Sequence, residues 1–343
     1  MSVKEQVRRL WKECFGDSEE FMDLYFGRRY TDEINTCLEE DGKVVSALQR
    51  IPYPMTCCGE VIPMAYISGA CTDVAYRGRG LMKRLLASAH RRMYEEGKWL
   101  AGLIPAEEWL FGYYARSGYV PGFQQHVKLL TGGCKSVDNS NSSLEIKKID
   151  LCKTLPEEIC PYLYEHLRSL PFSVLHTEED FQIVLSDWSL NGGEVWAVYD
   201  GKKVSGLALC LKRDTGLLVR EMFASGTGPR EALLRFFRLH YRAGEMRIVS
   251  PSEGELRVYG MARIINAEQM LSLYARVHCD DVPRFIKVEG DEAIAANNAL
   301  FLLEGGACRR VDEAGQDFSA YTISGLTRLF FEGHLPYMNL MLD

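Results

Sequence analysis

SGACTDVAYRGRGLMKRLLASAHRRM, residues 68–93, is the stretch on which the reading of the chain turns. An apolar run ends at Thr72, a loop follows that holds Arg77, Gly78, Arg79 and Gly80, and an amphipathic helix runs from about Leu81 to Glu96. Glycines let the backbone turn tightly and approach an anion, and the first N–H groups of a helix have no partner within it. The helix dipole adds about 0.3–2 kcal/mol for an anion at that end, and arginines add charge-assisted contacts to phosphate oxygens. The loop thus has the parts of a pyrophosphate cradle. It lacks the third glycine of a dinucleotide fingerprint and the Gly-Lys-Ser/Thr ending of a P-loop. On these residues alone, a basic turn before a surface helix is an equal reading.

Working outward, residues 4–28 place Val7, Leu10, Trp11, Cys14 and Phe15, then Phe21, Leu24 and Tyr25, at helical spacing, with a break at Gly16-Asp17-Ser18. Residues 35–40 and 43–53 read as two strands around Asp41-Gly42, a hairpin signal, and Met64–Thr72 reads as a third. Gly97 closes the long helix, and Leu100–Ile104 is the next strand. Residues 134–143, CKSVDNSNSS, are polar and small and read as a linker. Beyond it, VYDGKKVSGLA at 198–208 resembles EEDGKVVSALQ at 39–49. Both hairpins precede a strand, a glycine-containing loop and a helix; the later copy has Leu217–Phe223, Ser225-Gly-Thr-Gly-Pro229 and Arg230–Tyr241. An internal repeat of one α/β unit is the expectation, against the alternative that Asp-Gly hairpins are common. From about residue 263 a third segment follows, with a strand at 299–303, a helix at about 322–332 and an apolar tail, LPYMNLMLD, at 335–343.

Composition narrows the classes. With 343 residues, two or three domains are expected. Forty basic against 47 acidic residues give a charge of −7, which argues against a general nucleic-acid binder. No apolar stretch approaches a membrane span, and MSVKEQVRRLWKECFGDSEEF puts charges where an export signal needs an apolar core. The eleven cysteines are odd in number and lack a CxxC, so buried thiols in a reducing cytoplasm are expected. The seven histidines are scattered, and no metal site is expected.

Context gives the loop its meaning. The Arg77–Met82 stretch resembles the coenzyme-A signature of the GCN5-related N-acetyltransferase (GNAT) superfamily, Arg/Gln-x-x-Gly-x-Gly/Ala: Arg77 takes the first position and Gly80 the middle glycine. Met82 departs from the small residue common there. LFGYYARSGYVPG at 110–122 is similar to a second signature, Tyr-x-x-x-Gly-Phe/Tyr, through Tyr114, Gly118 and Tyr119. The resemblance implies acetyl transfer from acetyl-CoA, with no metal, to a primary amine of a small cationic molecule or a protein lysine by direct attack. It implies that Cys71, Thr72 and Asp73 offer backbone groups to the pantetheine arm, and that Arg77, Gly78, Arg79, Gly80, Leu81, Met82 and Lys83 hold the pyrophosphate. Tyr114 falls on the general-acid position; its alternative is a packed aromatic beside Trp109, Phe111 and Tyr113.

The layout resembles the Eis-type (enhanced intracellular survival) branch, with MARIINAEQML at 261–271 and FFEG at 330–333 as local echoes. The implied fold is α/β (α+β): a catalytic GNAT domain at 1–133, a linker at 134–145, a degenerate GNAT-like copy at 146–262 and a small sterol-carrier-protein-like domain at 263–343. The resemblance also implies a cytoplasmic homo-oligomer whose C-terminal carboxylate reaches the active site, here at Asp343, whose side chain is a second carboxylate. An ordinary docked terminus is the equal alternative. Glu107 and Glu108 read either as a base relay or substrate anchor, or as solvated loop charges. A different class of function on the same scaffold is a non-catalytic acyl-CoA sensor or lipid carrier.

Overall fold

The computed structural model describes residues 1–132, 144–151, 153–251, 253–278, 283–313 and 318–342. Helix α1 (Val3–Phe15) starts at a capping box made by Ser2 and Glu5, buries Val7, Leu10 and Trp11, and stops at left-handed Gly16. Ser18 caps α2 (Glu19–Leu24), which continues into a wide turn over Tyr25–Arg29. Strands β1 (Asn35–Glu40), β2 (Lys43–Cys57) and β3 (Glu60–Thr72) form an antiparallel meander. Then come α3 (Leu81–Glu95), β4 (Leu100–Leu103), α4 (Glu108–Ala115) and β5 (Val120–Thr131), with β4 parallel to β3.

The next stretch holds β6 (Leu144–Ile149), α5 (Ile159–Arg168), β7 (Phe172–Val174) and α6 (Glu178–Leu190). It goes on through β8 (Glu194–Asp200), β9 (Lys203–Arg213), β10 (Gly216–Ala224), α7 (Thr227–His240), β11 (Glu245–Ser250) and β12 (Glu255–Ile264). Here too an antiparallel hairpin and third strand lead to a helix and a parallel strand, since β11 runs parallel to β10. The two hairpins that look alike in sequence thus open units with the same order of pairing.

One twelve-stranded sheet carries both units among the described residues, with β1-β2-β3-β4-β12-β5-β11-β10-β9-β8-β6 as its path and β7 paired to β2. Strand β5 joins the units: its first part pairs with β12 and its last part with β11. Strand β12 fills the gap between β4 and β5, so the first unit's sheet is completed from late in the chain. The expected boundary at 262/263 falls inside β12, and of the expected linker only Leu144 and Glu145, in β6, are described.

Helices α3 and α4 cover one face of the first unit in an apolar cluster with Leu48, Ile67, Leu103 and Met261. On the opposite face α1, α2 and α6 share a larger core with Tyr53, Leu100 and the C-terminal tail. The third segment has α8 (Ala267–Val277), β13 (Arg284–Glu289), β14 (Ala299–Glu304), β15 (Ala307–Val311), β16 (Phe318–Thr322) and α9 (Ile323–Phe331). Its four strands form a separate sheet in the order β15-β14-β13-β16. Arg263 on β12 ties this segment down: its guanidinium is buried against Asp291 at 2.7 Å, and its Nε donates to the Ser117 carbonyl. The mixed α/β class expected from sequence holds.

Candidate active site

The site is built where β3 parts from β4. The parallel pairing covers only Met64–Tyr66 against Leu100–Gly102, so β3 from Ile67 onward loses its neighbour on that side. Such an edge offers backbone N–H and C=O groups to an extended ligand. Within it β3 carries a bulge, because Ser68 to Cys71 takes three steps opposite the two from Gln49 to Ala47 on β2. Gly69 makes the bulge possible: its φ is +59°, and a Cβ there would lie 2.0 Å from the Trp11 ring. A glycine inside a strand was the sequence signal for this feature, and sequence reasoning missed it.

Cys71 is buried, with its thiol pushed up by its contact with Cys14 and by burial. Its partner Cys14, at the end of α1, is pulled down to about 7 by the hydrogen bond from Cys71 and by Arg77. Thr72 bonds Ser46 through its hydroxyl at 2.8 Å, while its carbonyl accepts from Arg77 Nε at 3.1 Å. Asp73 is committed to the framework. Its N–H goes to the Val45 carbonyl, and its carboxylate, held below its usual range chiefly by Lys43, also caps Ala75 N–H at 2.9 Å.

Gly78 and Gly80 have φ of +78° and +73°, which is what lets the loop turn sharply into α3. Gly80 is the residue before the helix and carries no capping side chain, so the N–H groups of Leu81, Met82 and Lys83 begin the helix without a side-chain acceptor. Arg79 pairs with Glu40 at 2.9 Å and lies over the Tyr76 ring, and Lys83 is exposed near Glu292. A cavity of about 400 Å³ runs beside α3 past Lys83, Ala87 and His90 to Arg116, Asp291 and Thr322. The third segment therefore supplies one of its walls.

The second motif is a helix ending. Tyr114 is near the C-terminus of α4; Gly118, at φ +85°, turns the chain, and Tyr119 N–H reaches back to the Tyr114 carbonyl. A Cβ on Gly118 would meet Ile323 at 2.9 Å and Arg263 at 3.1 Å, so the position is fixed by crowding as well as by φ. Tyr119 is buried and its hydroxyl meets His90 Nε2 at 3.1 Å. The Tyr114 hydroxyl has no hydrogen-bond partner among the described residues, and burial pushes its pKa up to about 12. It therefore stays protonated across the physiological range, a donor awaiting an acceptor. Glu107 and Glu108 are exposed, and Glu107 accepts from the Trp109 indole at 2.7 Å.

From the other face of the sheet comes the tail. Pro336 O accepts from Gln124 N–H, Tyr337 exchanges backbone bonds with Phe172 and Val174, and Leu340 O meets His176 Nε2 at 2.8 Å. Met338 packs closely on Gly260, where a Cβ would lie 2.6 Å from it, and its sulfur would stand 3.4 Å from a Cβ on Gly102. Tyr337 through Leu342 are all buried, and Asp343 itself lies outside the described residues. Thus Tyr114 and the tail stand on opposite faces of β4. Sequence reasoning missed Glu221 on β10, a buried carboxyl that accepts the Tyr337 hydroxyl. A single acidic residue in LLVREMF was its only trace.

Among the described residues no three potential ligands gather as a metal site, and no helix is long and apolar enough to cross a membrane. Residues 2–122 match the family profile described as acetyltransferase (GNAT) domain. No curated protein sequence matches the chain. Among solved structures, a conserved protein of Enterococcus faecalis V583 described as a probable N-acyltransferase aligns with a TM-score of 0.79 at 16% identity, over 96% of this chain and 87% of that one. A GCN5-related N-acetyltransferase from Anabaena variabilis ATCC 29413 aligns at 0.75 and 16% identity, over 97% and 96% of the two chains. Eis1 from Mycobacterium abscessus aligns at 0.70 and 14% identity, over 96% and 87%. At these identities the likeness is one of fold.

Proposed function

We propose that the acetyltransferase (GNAT) domain, which residues 2–122 of this chain form, transfers an acetyl group from acetyl-CoA to a primary amine of a small cationic molecule or a protein lysine. The observation that carries this reading is the uncapped start of α3 behind left-handed Gly80, set at the end of the unpaired edge of β3. Acetyl-CoA supplies the acetyl group as a thioester that an unprotonated amine attacks directly. The amides of Leu81, Met82 and Lys83, with Arg77 and Arg79 beside them, hold the pyrophosphate, and the β3 edge around Cys71 and Thr72 holds the pantetheine arm. Asp73 braces the loop.

Tyr114 donates its hydroxyl proton toward the departing thiolate, a task supported by its unpartnered hydroxyl and its retained proton. An amine with a pKa near 10 is protonated at pH 7 and needs a base. The buried tail supports a terminal carboxylate, at Asp343, in that role. The third segment, with two helices on a four-stranded sheet, is read as sterol-carrier-protein-like. The protein is read as a cytoplasmic homo-oligomer, a compartment to which the free thiols of the described residues are suited. The test is release of CoA thiol from acetyl-CoA over a panel of polyamines, aminoglycosides and lysine peptides. Turnover with at least one amine supports the reading; no acetyl-CoA binding in calorimetry overturns it.

A further inference from the structure

The splay between parallel strands occurs twice. In the first unit the last parallel pair on β3 is Tyr66, and two residues on stands Ser68, which meets the Tyr25 hydroxyl at 3.2 Å. In the second unit the last pair on β10 is Val219, and two residues on stands Glu221, just past a bulge in the β10–β9 pairing. The first splay is open at its strand edge. The second is answered by the chain's own tail, because Tyr337 puts its hydroxyl on Glu221 and Asn339 Nδ2 donates to that hydroxyl at 2.8 Å.

The second unit bears a real cost for this contact. Glu221 is completely buried, its other carboxyl oxygen has no partner, and the neighbouring Arg220 sends its guanidinium to Tyr259. An apolar residue of similar size would pack there without desolvating a carboxyl. What the carboxyl provides is a strong, directional acceptor for one tail side chain. From that anchor the tail crosses to the first unit, over Gly260 and Gly102, and is held again by His176 at Leu340. Two residues after Leu340 the chain is still buried.

We propose that Glu221 is a positioning residue: through Tyr337 the second unit fixes the path of the C-terminal tail, as far as Leu342, along the first unit. This rests on the tail's role in the proposed acetyl transfer, but the docking itself is measurable without any turnover. The full chain is digested with carboxypeptidase Y and followed by intact mass, in wild type, Glu221→Leu, Glu221→Gln and Tyr337→Phe. Thermal melts and near-ultraviolet circular dichroism report folding. Tyr337→Phe keeps the tail's backbone bonds, so it tests the hydroxyl even where Glu221→Leu folds poorly.

Loss of the terminal residues is expected to be about tenfold faster or more in Glu221→Leu and Tyr337→Phe, and close to wild type in Glu221→Gln, whose amide oxygen still accepts. In turnover with an active amine, the first two variants lose kcat while KM for acetyl-CoA is unchanged, and Glu221→Gln rescues. Wild-type resistance to digestion in both Glu221→Leu and Tyr337→Phe overturns the proposal. So does a freed tail with kcat unchanged. A wild type that turns over no amine tells against the transferase reading, and the digestion still reports on the anchor.

Discussion

The two units of the long sheet have the same order of elements and opposite chemistry at the helix that follows the third strand. Helix α3 is entered from Gly80 through a loop with Arg77 and Arg79. Helix α7 is entered from Gly226, at φ +109°, but its third residue is Pro229, which has no N–H, and no basic residue precedes Arg230 in the loop. Arg230 is itself taken by Glu253 at 2.7 Å. Each helix dipole offers some attraction for an anion, so the dipole alone does not separate them. The third amide, which Pro229 lacks, and the two loop arginines, Arg77 and Arg79, do. What the second unit retains is the splay, and a protein side chain uses it.

The comparison breaks first at catalysis. Tyr114→Phe removes the donor in the first unit and is expected to lower kcat by about 10²–10⁴ with little change in KM for acetyl-CoA, measured by thiol release. Normal turnover would remove Tyr114 from the acid role.

A smaller effect separates the two splays by pH. Burial raises the Glu221 carboxyl from 4.5 to about 7 in the folded protein. Between those values the folded state holds a proton that the unfolded state has released, so stability falls as pH rises through that window and is flat above it. Wild-type stability minus that of Glu221→Gln should therefore drop by about 3 kcal/mol between pH 4.5 and 7.5 in urea melts, at 1.36 kcal/mol per unit. Ser68, at the matching step of the first unit, carries no carboxyl, and Ser68→Ala should show no such slope relative to wild type. A flat difference for Glu221→Gln would mean that its carboxyl is solvated.

Arginine substitutions sharpen the contrast further. Arg77→Ala should weaken acetyl-CoA binding by about tenfold in calorimetry, whereas Arg230→Ala should leave it within twofold. Equal losses would erase the distinction between the loops. The smallest effect is in thiol reactivity. Cys14 should alkylate with a midpoint near pH 7, and that midpoint should move up in Arg77→Ala. Cys210, buried in the second unit with its thiol raised by desolvation, should stay unlabelled while the protein is folded.

Much of the first unit could be read before the structure was known, because its signals are local. Asp41 and Gly42 both sit at positive φ, as the hairpin turn requires, and the break at Gly16-Asp17-Ser18 is a helix boundary, with Ser18 capping α2. The glycine- and arginine-containing loop before α3 declared itself through residues adjacent in sequence. Strand exchange did not, since β12 exposes Glu255 to Val258 in succession and so lacks the alternation that marks one face as buried. Its place between β4 and β5 depends on partners 128 or more residues earlier in the chain. Glu221 was hidden for the same reason: its partner Tyr337 is 116 residues away. The apolar tail was legible as a buried segment, but its route over two glycines was not. The firmly held proton of Tyr114 was not legible, because burial is a property of the packed α4 and not of its sequence.

The most direct measurement is amide hydrogen exchange with and without acetyl-CoA, read at Ile67–Thr72 and Leu81–Lys83 in the first unit and at Arg220–Ala224 and Thr227–Arg230 in the second. Protection confined to the first pair of segments is the predicted result. Equal protection in both units, or none in either, would contradict the claim that one unit holds the coenzyme and the other holds the tail.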